Sequence, residues 1–482
     1  MFDLRPIGYV IGLLVAALGA TMLFPMLVDL NDGNGNWAAF FEAGVLTFAT
    51  GGLMAFSCSN SVGSRLSIQQ MFLLTTGVWL ALPIFAALPF ALGETEARTV
   101  DAFFEAMSGL TTTGSTVFSG LDDMARGLLL WRSMLQWFGG VGIIVVAMVF
   151  LPELRVGGMQ IFRSEGFDTG GKVLPRAVQI SSRISVIYVG LTLAAFLSYL
   201  LVGMGGFDAF NHALTTVATG GYSTRDASFG AFKGNAEYVA TVFMVLASLP
   251  FVRYVQLVGG TAQPLFRDSQ IRAYLKLNVA VIVVLSAYQI VVNGDASAGT
   301  LREVVFNVTS VLTGTGFASV DYQLWGAFPV VLFFFLGLIG GCAGSTCCSV
   351  KVFRYQLLFA SVRTQISKIH SPNGVFTPRF EGRAVTEDVL YSVMAFFVAF
   401  VVSLGILAML LSATGLDFTT SLSGAAAALA NIGPGLGDII GPAGNFAPLN
   451  DTAKWLLAAG MLAGRLELMV VFAIFTTKFW RG

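Results

Sequence analysis

Apolar residues recur from end to end of the chain in long runs, at 7–30, 37–58, 68–92, 126–150, 183–204, 236–260, 273–293, 326–350, 388–414 and 452–477. A bilayer core needs about 20 apolar residues per helix, so these runs predict about ten crossings. Between them lie segments too short or too polar to cross, yet too apolar for plain loops. Asp101–Gly114 reads DAFFEAMSGLTTTG, Asp208–Gly221 reads DAFNHALTTVATGG and Glu303–Gly316 reads EVVFNVTSVLTGTG; acid and final glycine stand 13 positions apart in all three. Each opens with an acid, which a helix N-terminus favours, and breaks at Thr/Gly after about three helical turns. A fourth segment, Leu422–Gly435 (LSGAAAALANIGPG), has the same length, and its acid, Asp417, lies further upstream.

The repeating unit is therefore span, half-helix, Thr/Gly strand, span, recurring about every hundred residues. The expected fold class is an all-α polytopic membrane protein. Four pseudo-repeats of span, half-helix pore loop and span surround one pore, and two extra N-terminal transmembrane helices precede them. The expected boundaries are 1–58 for the N-terminal pair, then repeats at 59–155, 156–262, 263–365 and 366–482, with strands at 111–115, 218–222, 313–317 and 432–436. Non-helical backbone at membrane depth is tolerated only when buried in protein or lining a wet cavity. Four such strands around one axis would aim rings of carbonyl oxygens at a shared path, and such rings can replace the hydration shell of a potassium ion. Packing through small residues explains a single Thr-x-Gly, but it does not predict four in one slot.

Composition fixes the solvent. Only 11% of residues are charged and 55% are hydrophobic, against roughly a quarter charged in a soluble domain. The formal net charge of zero hides an asymmetry. With a cytoplasmic N-terminus, 19 basic residues fall on the inner side, among them Arg65, Arg155, Arg163, Lys172, Lys351 and Arg354, and 7 on the outer side. Arg465 remains inside a span. The positive-inside rule then places both termini in the cytoplasm. The outer loops hold Asp29, Asp32, Glu94, Glu96, Asp122, Asp123, Asp226, Glu237, Asp295, Asp321 and Asp438. An acidic vestibule would concentrate cations; sorting of basic residues by topology accounts equally for the excess. Cys58, Cys342, Cys347 and Cys348 sit in or beside apolar segments without zinc-ligand spacing and are expected to be buried reduced thiols. Met1–Asp29 lacks a small-residue cleavage site and reads as a first span, not a signal peptide.

TTTGS (Thr111–Ser115), ATGGYST (Ala218–Thr224), LTGTGF (Leu312–Phe317) and NIGPGLG (Asn431–Gly437) resemble the four filter segments of the bacterial TrkH proteins, within the superfamily that includes KtrB and the plant HKT transporters. GGCAGST (Gly340–Thr346) and GRLEL (Gly464–Leu468) resemble two further family signatures. The resemblance covers nearly the whole chain, with the motifs in order. It implies potassium uptake and K+-binding backbone at Thr111, Thr112, Thr113 and Gly114; Ala218, Thr219, Gly220 and Gly221; Thr313, Gly314, Thr315 and Gly316; and Ile432, Gly433, Pro434 and Gly435. Gly114, Gly221, Gly316 and Gly435 would share one slot, and glycine at the first accompanies potassium preference where serine accompanies sodium.

The third repeat's last span contains Gly340, Gly341, Cys342, Ala343, Gly344, Ser345 and Thr346. Three glycines in five residues weaken a helix by roughly 1 kcal/mol each, so a break is expected there. A close helix crossing is the bland account; the resemblance implies an intramembrane gating loop spanning 340–350. Thr346-Cys347-Cys348-Ser349 stands where relatives commonly have glycines. Arg465 lies mid-span, too deep to snorkel, and such arginines face a cavity or a partner. The resemblance points it at the pore beneath the filter; an ion pair with Glu467 or Glu153 is the structural alternative.

The resemblance also implies a homodimer in the inner membrane and a cytosolic nucleotide-binding regulatory subunit of the TrkA type. The basic loops Leu151–Arg183 and Lys351–Asp388 offer that subunit a docking surface. The chain has neither a GxGxxG unit nor a P-loop, so nucleotide sensing falls to the partner. His212 and His370 are the only histidines, and no catalytic cluster accompanies them; no enzyme, no cofactor beyond the transported K+, and no nucleic-acid surface is expected. A sodium- or proton-coupled secondary transporter is the alternative. Those folds use broken helices in inverted repeats, whereas the charge pattern gives every copy here the same orientation.

Overall fold

The computed structural model describes residues 3–61, 66–149, 154, 157–162 and 173–481. Arg65, Glu153, Arg155, Arg163 and Lys172, on which the charge count and one pairing alternative draw, lie outside them. The described residues are helical nearly throughout, with one small hairpin, β1 (Arg379–Phe380) against β2 (Arg383–Ala384).

Helices α1 (Arg5–Asp32) and α2 (Trp37–Ser57) precede the repeats. They meet through glycines: a Cβ on Gly12 would stand 2.8 Å from the Gly51 carbonyl oxygen, and one on Gly19 2.9 Å from that of Gly44. Such close backbone approach needs small residues. At the end of α1, fully buried Asp29 accepts hydrogen bonds from Asn34 (3.1 Å), Asn36 (2.7 Å) and the Gly127 N–H (2.7 Å). The last bond ties the pair to the start of the helix Arg126–Val149.

Each repeat follows the predicted order. Repeat 1 holds α3 (Ile68–Leu92), half-helix α4 (Thr99–Leu110) and α5 (Arg126–Val149). Repeat 2 holds α6 (Val173–Leu201), half-helix α7 (Gly206–Val217), α8 (Asn235–Ala247) and α9 (Phe251–Val258). Repeat 3 holds α10 (Ser269–Val291), half-helix α11 (Ala298–Thr313), α12 (Ala327–Gly337) and α13 (Val352–His370). Repeat 4 holds α14 (Glu387–Ala413), half-helix α15 (Phe418–Ala430), α16 (Asp451–Arg465) and α17 (Met469–Ile474). The third and fourth half-helices start at side-chain caps: Ser297 accepts from the Thr300 N–H (3.2 Å) and Asp417 from the Thr420 N–H (3.1 Å), satisfying donors that have no intrahelical partner.

Three of the ten expected spans are not continuous helices. Among the described residues seven helices are long and apolar enough to cross, or eight if α8 and α9 count as one span bent by 88°. The run 236–260 breaks at Ser248–Pro250, because Pro250 removes an N–H from the helical ladder. The run 326–350 leaves helix at Gly337 and stays irregular to Lys351, with positive φ at Gly340, Gly344, Ser349 and Lys351. The run 452–477 ends its first helix at Arg465 and turns at Glu467, whose φ is +60°. The break expected in the third repeat alone thus occurs in repeats 2, 3 and 4. Only α5 of repeat 1 runs unbroken, for 24 residues.

Gly12→Leu should disrupt the α1–α2 crossing and cost roughly 1–3 kcal/mol, as overpacking does. The check is a lower midpoint for loss of the monodisperse detergent-solubilised protein on heating; an unchanged midpoint refutes the close-contact role.

Candidate functional site

The four half-helices end alike. One residue at each C-terminus enters the left-handed region: Thr112 (φ +52°), Thr219 (φ +50°), Gly314 (φ +75°) and Asn431 (φ +51°). In three copies the following residue donates back five positions, Thr113 to Ser108, Gly220 to Thr215 and Ile432 to Ala427, each at 2.9 Å; this is a Schellman closure. The third copy closes one residue later, Gly316 to Ser310 at 3.2 Å. Glycine or asparagine suits such a position, but a β-branched threonine there is strained. Strain held in two copies marks a place where surrounding structure dictates the backbone.

Two residues beyond each left-handed position the strands meet in a ring. A Cβ on Gly114 would collide with the Gly220 carbonyl oxygen, and one on Gly221 with that of Thr315. A Cβ on Gly316 would stand 2.8 Å from the Gly433 nitrogen, and one on Gly433 3.0 Å from the Gly114 carbonyl oxygen. The contacts therefore run from strand 1 through 2, 3 and 4 and back to 1. They also correct the fourth register. Length-matching puts Gly435 in the shared slot, but Gly433 occupies it; Gly435 instead packs on Ile440 and Ser423 of its own repeat. The reason is that α15 starts at the Asp417 cap and ends at Ala430, so the window matching Thr111–Gly114 is Ala430–Gly433, and Pro434 follows it.

Thr111, Thr112, Thr113, Ala218, Thr219, Thr313, Thr315 and Ile432 are all buried. Among the described residues the carbonyls of Thr112, Thr219, Gly314 and Asn431 accept no hydrogen bond. Those of Gly220 and Gly433 are held from the side by Gln136 (2.6 Å) and Ser115 (2.8 Å). The half-helix C-termini, where the macrodipole is negative, converge beneath the ring.

The whole arrangement has counterparts. The family model for a cation transport protein, TrkH, matches residues 37–481. The chain belongs to the TrkH family. It is 43% identical over 478 residues to the Trk system potassium uptake protein TrkI of Halomonas elongata, covering 99% of this chain and 97% of that one. It is 36% identical over 483 residues to TrkH of Escherichia coli K12, covering 99% of each. The crystal structure of the potassium transporter TrkH from Vibrio parahaemolyticus superposes with a TM-score of 0.90 at 33% identity, covering 100% of both chains.

In this TrkH-family chain the irregular segment Leu338–Lys351 lies below the ring and is stitched to all four repeats. The break at Pro250 frees the Ala247 and Ser248 carbonyls; Ala247 accepts from the Thr346 hydroxyl (3.0 Å) and Ser248 from the Cys342 N–H (3.1 Å). The Phe251 N–H donates to the Gly344 carbonyl (2.9 Å), and the Ala343 N–H to Gln270 (3.0 Å). Ser345 closes the turn onto the Cys342 carbonyl (2.7 Å), and the Gly341 carbonyl accepts from Val352 (3.1 Å). A Cβ on Gly340 would collide with the Cys348 carbonyl. Toward the ring, Ser349 donates to the Ala430 carbonyl (3.2 Å), and the Cys348 thiol lies 3.9 Å from the Thr112 hydroxyl. Cys342, Cys347 and Cys348 are buried free thiols, but Cys58 is only half-buried.

Arg465 ends α16 where the expected span gave it a mid-helix position. Its guanidinium donates to the Gly139 carbonyl (2.9 Å) and to the Cys348 sulfur, lies 5.5 Å from the centre of the Trp79 ring, and leaves Nε unpartnered. It is not paired with Glu467, which binds Lys351 (3.5 Å) and Arg354 instead. The breaks of repeats 3 and 4 are thus joined by a buried ionic cluster.

Three of the eleven acids expected on the opposite face are matched by basic residues of other elements. Asp32 pairs with Arg126 (3.1 Å), Asp122 with Arg225 (3.2 Å) and Glu237 with Arg302 (2.5 Å). Hydrogen bonds to Asp208 and Asp122 hold the Arg225 guanidinium above its ordinary pKa. Exposed Asp226, which accepts from the Leu121 N–H (3.2 Å), lines a crevice of 540 Å³ above the ring.

Sequence reasoning missed the residues that brace the outgoing strands. Glu105, His212 and Asn307 each stand four positions after a leading acid and are fully buried. Glu105 accepts from the Val117 N–H (2.9 Å), His212 contacts Ser223 (2.9 Å) and Asn307 accepts from the Ser319 N–H (3.2 Å). In repeat 4 Ser423 takes over, accepting from the Leu436 N–H at 2.9 Å. Glu105 also pairs at 2.8 Å with Arg132, which reaches the Ser223 carbonyl at 2.9 Å. Glu105→Ala leaves that arginine buried and unpaired, which costs about 3–5 kcal/mol; Glu105→Gln keeps acceptors and should cost less. Thermal unfolding of the purified variants checks the order, and equal losses contradict it.

Proposed function

We propose that this chain carries potassium into the cell across the bacterial cytoplasmic membrane, as the pore-forming subunit of a Trk-type uptake system. The observation that carries the reading is the closed ring of four strands, whose left-handed residues Thr112, Thr219, Gly314 and Asn431 have carbonyls without partners among the described residues. Buried carbonyls are almost always paired; here a dehydrated K+ supplies what the protein withholds, as carbonyl rings do in filters. The filter segments are Thr111–Gly114, Ala218–Gly221, Thr313–Gly316 and, after the register correction, Ala430–Gly433. Relatives sharing 36–43% identity are named as potassium uptake proteins, and Gly114 favours potassium over sodium. K+ is cargo, and the chain works without catalytic chemistry of its own. An inverted-repeat transporter is less well matched to four strands in cyclic order.

The segment Leu338–Lys351 acts as the gate. Its position under three filter ends supports this, as does its dependence on hydrogen bonds that a shift of α9 or α13 would break together. Arg465 adds a fixed positive charge near the path. At an effective dielectric of about 20 and a separation of ~8 Å, such a charge opposes a monovalent cation by about 2 kcal/mol.

Both termini are cytoplasmic, and a TrkA-type nucleotide-binding subunit docks on the inner face of a homodimer. Support comes from α13, which carries an exposed stripe of Phe359, Val362, Ile366 and Ile369 at helical spacing, a pattern that marks a partner surface.

Expression in a potassium-uptake-deficient bacterium should restore growth on low potassium when a matched TrkA-type partner is present; failure despite good membrane expression sinks the assignment. Gly433→Val should abolish rescue, and Gly114→Ser should shift uptake toward sodium. In reconstituted vesicles Arg465→Ala should raise rubidium flux, by roughly thirtyfold if the full electrostatic barrier is removed; unchanged flux argues against its role near the path.

A further inference from the structure

The four seams between repeats are not equally fastened. On the face of the half-helix N-termini, repeats 1 and 2 are joined by Asp122–Arg225 (3.2 Å) and repeats 2 and 3 by Glu303–Lys233 (3.0 Å) and Glu237–Arg302 (2.5 Å). Repeats 4 and 1 are joined by Asp101–Lys454 (2.6 Å) and Asp451–Arg98 (3.0 Å). Repeats 3 and 4 have no ion pair there among the described residues. Gln323 alone spans that seam, accepting from the Gly437 N–H (2.7 Å) and donating to its carbonyl (3.4 Å). The fourth half-helix has no acid in the slot that Asp101, Asp208 and Glu303 fill, so no basic residue is drawn across.

Below Gln323 this seam holds a narrow crevice of about 40 Å³ between α12 and α15, walled by Phe333, Phe334, Leu338, Ala426, Ile432 and Leu436. Its inner wall is the back of the fourth filter strand. Its outer wall, α12, exposes Val331 and Phe335 on a helix at membrane depth, so the crevice is continuous with the lipid-facing surface. Tyr322 also lines it; that residue is 2% exposed, and its hydroxyl has no hydrogen-bond partner among the described residues. An apolar groove opening to hydrocarbon forfeits dispersion contacts along its walls when nothing fills it, and the methylenes of an alkyl chain would restore them.

We propose that this crevice binds an acyl chain of a bilayer lipid, which packs against the back of the fourth strand where it leaves the ring, Ile432–Leu436, and completes the weakest of the four seams. The site itself does not depend on the ion-conduction reading; only an effect of the bound chain on flux rests on it.

The test uses the full chain in vesicles doped with phosphatidylcholine that carries a photoactivatable diazirine in its acyl chain. Irradiation, digestion and mass spectrometry should find label concentrated on peptides bearing 327–338 and 423–436, above the level on lipid-facing α14. Ala426→Phe, which fills the cleft, should lower that label to the α14 level, and Phe334→Ala, which widens its mouth, should raise it. The α14 signal reports that each variant is folded in the bilayer. Label no greater than on α14, or label unmoved by both variants, overturns the proposal. So does a Val331→Cys disulfide between two copies with no lipid label, which would show that a second chain covers the cleft. Rubidium flux read in the same vesicles tests conduction separately, and its absence leaves the labelling result intact.

Discussion

A backbone carbonyl at membrane depth must find a partner, because no water is there to supply one. Most of this architecture follows from how that requirement is met where helices stop. Pro250 ends α8 and frees two carbonyls of repeat 2; the N–H and hydroxyl groups of the irregular segment in repeat 3 take them. That segment could not remain irregular without donors and acceptors on its neighbours, and α8 could not bend by 88° without the segment. Neither break is stable alone. A gate built on this principle has discrete positions, since sliding by a fraction of an ångström would orphan several groups at once.

The same accounting separates the ring of strands, proposed as the filter, from its frame. Gln136 and Ser115 hold the carbonyls of Gly220 and Gly433 from the side, while the four left-handed residues keep theirs unpartnered. Around them buried braces fix each strand to its own half-helix, and ion pairs or polar bonds fix each repeat to the next. Strain at Thr112 and Thr219 persists because that frame over-determines the backbone. A threonine at φ near +50° in a loose loop would relax.

The repeats were legible in the sequence because the acid that stabilises a half-helix start and the glycine that ends it leave marks a fixed distance apart. The fourth copy blurred for a physical reason. Its cap is a true N-cap at Asp417, not a first-turn acid, and its glycine-rich exit NIGPGLG offers Gly433, Gly435 and Gly437 to any length match. Hydropathy hid the bends as well. A window of twenty apolar residues registers neither one proline at 250 nor a turn flanked by Leu466 and Leu468, since both leave the average unchanged. The braces Glu105, His212 and Asn307 were visible as a position, four after each acid, but their chemistry differs in every copy, so no common motif announced them.

Charge was the least legible property, because pairing is a fact of three dimensions. Eleven outer acids suggest an attractive mouth, yet Asp32, Asp122 and Glu237 are already matched across elements. Asp122 and Glu237 join one repeat to the next and Asp32 ties α1 to repeat 1; an exposed pair contributes little on its own while a partly buried set across a seam fixes register. It follows that the repeat without such an acid is the one whose seam can yield. Repeat 4 carries Arg465 and repeat 3 the irregular segment, so the two elements proposed to control the path flank the seam with the fewest vestibule-side ties. On the opposite face that seam is closed by Glu467 with Lys351 and Arg354. A joint loose at one end and pinned at the other is a hinge in form, and the pin sits at the residues where both helices break.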